Sequence, residues 1–179
     1  MVYASTTTRG CFAETLQVLR TKLDSPVALA AARDTGHMPP GNIPQSWRDA
    51  RRKFLIELQN TLPFVDIEHE ETRAHLEQTQ PLILLAHRID ALTIPDVRGD
   101  NRRLTRALAW WAYTQIDESV EEGPPQPLYA GIRYVSKHGD HECWAIFDKT
   151  VVEERRAESI EEEDEDLRAA ARLVNLTIN

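Results

Sequence analysis

Tyr3, Glu14 and Ser136 are the residues whose types and placement carry the most chemistry in this chain. Tyr3 belongs to Val2-Tyr-Ala-Ser, which reads as a short strand. Glu14 lies eleven positions on, within the helix expected to follow. Ser136 closes the first arm of an expected hairpin. Glu14 has Gly10, Cys11, Gln17 and Val18 as helical neighbours, which offsets it from the Phe12–Leu16–Leu19 stripe yet leaves it touching apolar side chains. A carboxylate half-sunk against a core is costly unless something pairs with it. Taken singly, each also has an ordinary reading: a strand aromatic, a surface helix acid and a turn-adjacent hydroxyl.

The other reactive types are less suggestive. His138-x-x-His141 with Cys143 close by lacks partners at zinc-finger spacing, so no metal is expected. His69-Glu-Glu with His75 misses the His-Glu-x-x-His pattern by two positions and reads as surface histidines. Arg98, Arg102, Arg103 and Arg106 form a basic cluster of the kind that could meet a phosphate, but capping and surface pairing is the preferred account. The chain contains no Gly-x-Gly-x-x-Gly fingerprint, no Walker A loop and no Gly-x-Ser-x-Gly elbow.

Elements that would position these residues can be read from periodicity. A helix capped by Thr6, Thr7 or Thr8 carries Phe12, Leu16, Leu19 and Leu23 on one face. Gly36 to Pro44 reads as loop, and 61–67 and Leu82-Ile-Leu-Leu85 read as strands. Leu104 to Ile116 reads as a helix with Leu104, Leu108, Trp111 and Gln115 on one side. In Tyr129-Ala-Gly-Ile-Arg-Tyr-Val-Ser136 a period of two places Ile132, Tyr134 and Ser136 on one face and Gly131, Arg133 and Val135 on the other. His138 to His141 supplies a turn and 143–147 a second strand, completing the hairpin. Strands and helices without regular alternation predict a mixed α+β domain.

The chain has 179 residues and a formal charge of −8, from 21 Lys plus Arg against 29 Asp plus Glu. That length suits one domain with one sizeable core. The acidic balance argues against broad capture of nucleic acid or an anionic membrane. Two cysteines make no disulfide framework, and no apolar run approaches the about 20 residues of a spanning helix. A cytoplasmic protein is expected. Residues 150–179 hold nine acids and four basic residues, with six consecutive acids at 161–166 before Leu167-Arg-Ala-Ala-Ala-Arg-Leu. This tail, 149–179, reads as an acidic linker leading into a terminal helix.

Val2-Tyr-Ala-Ser followed by Cys11-Phe-Ala-Glu14 resembles the tyrosine-to-glutamate segment of RES-domain proteins. The stretch from Tyr129 to Phe147 resembles their Gly-Ile-Arg-Tyr-x-Ser hairpin and the strand after it, and 104–112 is similar to the helix before that hairpin. The resemblance covers 2–148. It implies a fold related to ADP-ribosyltransferases, with a mixed or antiparallel sheet surrounded by helices, and an NAD-consuming toxin paired with a helix-turn-helix antitoxin.

By position, Tyr3, Glu14 and Ser136 match the family's active-site residues. The family's arginine precedes its tyrosine, whereas only Met1 and Val2 precede Tyr3. The expectation is therefore a shortened domain, with a weakened or non-catalytic antitoxin binder as the alternative. In the chemistry so implied, Glu14 supports an oxocarbenium-like ribose while nicotinamide leaves as a neutral amide. Tyr3 stacks on or bonds the nicotinamide-ribose end, and Ser136 donates to ribose or carboxamide. Arg133 and Lys137 flank Ser136 as the nearest cations for a phosphate, although Arg133 points to the other face of a regular strand. NAD is the substrate, no cofactor is implied, and the acceptor is phosphate, water or a protein side chain. The pair Trp110-Trp111 suits a homodimer as readily as a core.

Overall fold

The computed structural model describes residues 1–17, 41–59, 62–117 and 124–179. Over these residues the chain is α+β and divides into two compact units, Met1–Ala4 with Leu58–Glu153, and Ser5–Glu57 with Glu154–Asn179. No helix among the described residues is long and apolar enough to cross a membrane.

The first unit is built on a four-stranded mixed sheet. Its strands are β1 (Val2–Ser5, the last residue lying past the unit boundary), β4 (Phe64–Asp66), β7 (Gly131–Val135) and β8 (Glu142–Ile146), in the order β1-β8-β7-β4. β4 runs parallel to β7, with Phe64 opposite Gly131 and Asp66 opposite Arg133; β8 runs antiparallel to β7, with Arg133 opposite Trp144 and Val135 opposite Glu142. The hairpin expected from alternation is thus present. Its turn uses Gly139 and Asp140, both at positive φ, +92° and +52°. Glycine and aspartate tolerate that region best.

Alternation sorts the sheet into two chemistries. Val65, Ile132 and Ala145 join the core with Leu76, Leu84, Leu92, Leu104, Leu108 and Trp111. Phe64, Arg133 and Trp144 occupy the other face, where Phe64 meets Trp144 edge-on at 4.9 Å. Gly131 permits this arrangement. A Cβ there would fall 2.2 Å from the Ala145 carbonyl oxygen and 2.7 Å from the Phe64 ring.

Four helices of this unit complete its core side: α3 (Glu70–Thr79), α4 (Pro81–Ala86), α5 (Ile94–Arg98) and α6 (Arg102–Thr114). α6 matches its periodicity, burying Leu104, Leu108 and Trp111. Asn101 caps it by accepting the Leu104 N–H at 3.2 Å. Trp110, on the neighbouring face, is 66% exposed, so the tryptophan pair is split between core and solvent.

The segment 82–85, expected as a strand, is instead helix α4. A short continuous apolar run carries no period that separates the two states. Pro81 at the first helical position decides it, because its fixed φ suits a helix start and it lacks an N–H. Leu84 is buried while Leu82 and Leu85 are exposed. Of the expected strand 61–67, the described residues form strand over Phe64–Asp66.

The second unit packs α1 (Thr8–Leu16) against α7 (Glu165–Leu173). Phe12, Ala13 and Leu16 share its core with Leu167, Ala170, Ala171 and Val174. Ala13 and Ala170 are fully buried, which allows close backbone approach. Thr7, one of the three expected caps, accepts the Gly10 N–H at 3.1 Å. β2 (Asn42–Ile43) pairs in parallel with β10 (Thr177–Ile178), and α2 (Gln45–Asp49) adds the buried Trp47.

The acidic run serves as a helix start. Asp164 accepts the Asp166 and Leu167 N–H groups at 3.0 and 3.2 Å and pairs with Lys53 at 2.6 Å. Glu165 and Asp166 occupy the first turn, where the macrodipole favours acids. Leu19, Leu23 and most of the expected loop 36–44 lie outside the described residues. A two-stranded ribbon of β3 (Lys53–Gln59) and β9 (Val151–Glu158) is crossed by the unit boundary, as two-residue strands β5 (Ile116–Asp117) and β6 (Gln126–Pro127) pair within the first unit.

Candidate functional site

Tyr3 and Ser136 fall in the first unit, on or beside strands of the same sheet, whereas Glu14 falls in the second. Tyr3 on β1 is 68% exposed, so its ring is available to a ligand. Ser136 is the opposite case, being 1% exposed and one of two buried polar residues among the described ones, with Arg48. It follows Val135 directly and continues the core-facing alternation of Ile132 and Tyr134. Its N–H donates to the His141 carbonyl at 2.8 Å, and its Oγ accepts the His138 N–H at 3.0 Å. The hairpin turn thereby folds around the hydroxyl.

Arg133 and Lys137, the nearest cations in sequence, are both held by carboxylates. The Arg133 guanidinium contacts Glu142 at 2.9 Å and Asp66 at 3.0 Å. The hydrogen bond it donates to Glu142, partly offset by burial and joined by the charge of Asp66, holds its pKa above the ordinary arginine value. Register puts Arg133 on the sheet face opposite Ser136, beside an open groove of about 440 Å³ that it lines with Leu62, Pro63, Phe64, Asp66 and Trp144. Lys137 pairs with Asp100.

In the second unit Glu14 is half-buried on α1, between the fully buried Ala13 and the exposed Thr15. It accepts a hydrogen bond from Gln17 Nε2 at 3.2 Å, one helical turn on. The side-chain amide helps to orient the carboxylate.

Glu68 escaped the sequence reading, and with it the specific partner of Arg98. Glu68, whose side chain is 8% exposed, sits just past β4 and receives a two-pronged contact from Arg98 at 2.9 and 2.7 Å. It also accepts the Val135 N–H at 2.8 Å, one residue before Ser136. Arg98 is the member of the basic cluster that is part-buried and paired, whereas Arg102, Arg103 and Arg106 are exposed. The signal was a charged residue following Phe-Val-Asp-Ile in strand register, but its partner lies 30 positions away.

The described residues thus form a mixed-sheet α+β fold, with a serine enclosed by a β-hairpin in the first unit and a glutamate on helix α1 in the second. The RES domain family model matches residues 1–169, and the chain belongs to the RES domain family. No curated protein and no solved structure matches it.

Proposed function

We propose that this chain consumes NAD by breaking the bond between nicotinamide and ribose, with inorganic phosphate as acceptor. The observation that carries this reading is the family match over 1–169, which includes Tyr3, Glu14 and Ser136. The RES domain family is linked to NAD-related toxin–antitoxin systems. The fold is compatible with a relationship to ADP-ribosyltransferases.

In this mechanism the C–N bond breaks with its electron pair leaving on nicotinamide, whose pyridinium becomes neutral without a proton. The ribose passes through an oxocarbenium-like state, and a phosphate oxygen supplies the pair for the new C–O bond. Glu14 stabilises the developing positive charge electrostatically. Ser136 donates to ribose or carboxamide, and Tyr3 packs on the nicotinamide-ribose end. A helix-turn-helix antitoxin is the partner that would cover the site, and the cytoplasm is the setting.

The engagement of Arg133 by Asp66 and Glu142, and of Lys137 by Asp100, favours a second reading. With both cations committed, phosphate grip is weak, and the chain acts as a non-catalytic antitoxin binder. Purified protein incubated with NAD, with and without phosphate, separates the readings. Nicotinamide release that requires phosphate is expected. Release independent of phosphate replaces phosphorolysis by hydrolysis or protein ADP-ribosylation, and no release leaves the binder.

A further inference from the structure

β4 and β7 pair in parallel from Phe64 to Asp66, and the Ile67 N–H extends the ladder to the Arg133 carbonyl at 3.2 Å. The next N–H pointing the same way along β7 belongs to Val135. It meets a side chain instead, the Glu68 Oε1 at 2.8 Å. A carboxylate thus replaces the backbone carbonyl at the end of the ladder.

Arg98 fixes that carboxylate from behind. Its Nε and Nη2 hold both Glu68 oxygens, at 2.9 and 2.7 Å, and its Nη1 reaches Asp140 in the hairpin turn at 3.0 Å. The planar fork restrains the carboxylate in rotation as well as position. The Tyr134–Val135 peptide, one before the serine's own, is therefore held by Glu68, while the Ser136 N–H is held by the His141 carbonyl. Arg73, hydrogen-bonded to the Glu68 carbonyl at 3.3 Å and the Leu92 carbonyl at 2.8 Å, secures the backbone that carries the carboxylate.

We infer that Glu68, oriented by Arg98, is a positioning residue that sets the place of the Ser136 hydroxyl for the reaction. This rests on the reading of Ser136 as a site residue. Glu68 acts through the backbone of Val135 and touches no substrate. A carboxylate this enclosed would be costly as a purely structural device, because a backbone carbonyl serves the same N–H without a charge.

A double-mutant cycle on the full chain, following nicotinamide release from NAD with phosphate present, tests the inference. Ser136→Ala lowers release. Glu68→Ala lowers it about tenfold in the wild-type background, since small displacements of a reacting group are expensive. In the Ser136→Ala background the same change has no further effect. Glu68→Gln keeps an acceptor for the Val135 N–H and returns release to within about threefold of wild type. It also carries the test if the alanine variant fails to fold. Amide exchange at Val135 and Ser136 accelerates in Glu68→Ala.

A Glu68→Ala loss of equal size in both backgrounds, or undiminished release in a folded Glu68→Ala protein, overturns the inference while leaving Ser136 in the site. Undiminished release by Ser136→Ala overturns the reading of Ser136 and the inference with it.

Discussion

The two units hold their candidate residues by different means. Around Ser136 the sheet unit uses charge and register: a strand ladder, a two-pronged arginine–carboxylate contact and a turn with two residues at positive φ. Around Glu14 the helical unit uses small side chains: Ala13, Ala170 and Ala171 let α1 and α7 approach, and the polar contacts sit at the helix ends. The Ser136 hydroxyl is enclosed, with its Oγ accepting the His138 N–H. The Glu14 carboxylate is presented half-buried on helix α1, where Gln17 Nε2 donates to it. Precision of direction is built from hydrogen bonds, and precision of place from packing.

Gly131→Ala is the severest way to break the first half of this contrast. The added Cβ collides with the backbone of Ala145, which cannot swing aside as a side chain would. A destabilisation of about 3 kcal/mol or more is expected from chemical denaturation. Amide exchange should accelerate first in 131–135 and 142–146, leaving 8–16 and 165–173 less affected.

Leu167→Ala attacks the other half. Leu167 is fully buried between α1 and α7, and its truncation should cost about 3 kcal/mol, with exchange accelerating first in 8–16 and 165–173. Equal acceleration everywhere in both variants would mean that one cooperative core, and no division of labour, holds the two residues.

Asp164→Ala removes a cap that satisfies two N–H groups and a partner of Lys53, for an expected loss of about 1–2 kcal/mol in thermal unfolding. The pH dependence sharpens this. Burial pushes the Asp164 carboxyl up, but the Lys53 contact and the N–H groups of Leu167 and Asp166 outweigh it, so its pKa lies below the ordinary aspartate value. Its stabilisation is therefore complete above that ordinary value and lost as pH falls through the lowered one. Lys53, raised chiefly by its hydrogen bond to Asp164, contributes below the ordinary lysine value and loses this as pH rises through the raised one. The smallest expected effect follows from these signs. Asp164→Asn keeps a cap but not the charge, so its deficit against wild type should be present at neutral pH and vanish in acid, as read from unfolding midpoints.

Much of the sheet unit was legible in the sequence because alternation is a local property. The hairpin, the core-facing set of Ile132, Tyr134 and Ser136, and the opposite placement of Arg133 all follow from a period of two. Helix α6 followed from its buried stripe. The segment 82–85 was misread because an unbroken apolar run has no period, and Pro81 outside the run decided the outcome. Glu68 and its contact with Arg98 were missed for another reason. Their meaning lies in a contact 30 residues apart and a bond from Glu68 to Val135 across 67 positions, which no local pattern contains. The roles of Tyr3 and Glu14 came from family resemblance, since a strand tyrosine and a helix glutamate have no local signature of catalysis.

The most direct measurement is nicotinamide release from NAD by purified protein, comparing wild type with Glu14→Gln. Exchanging the carboxylate for an amide of the same shape should leave thermal stability unchanged and lower release by about 10²- to 10³-fold. Undiminished release by a folded Glu14→Gln protein would contradict the account.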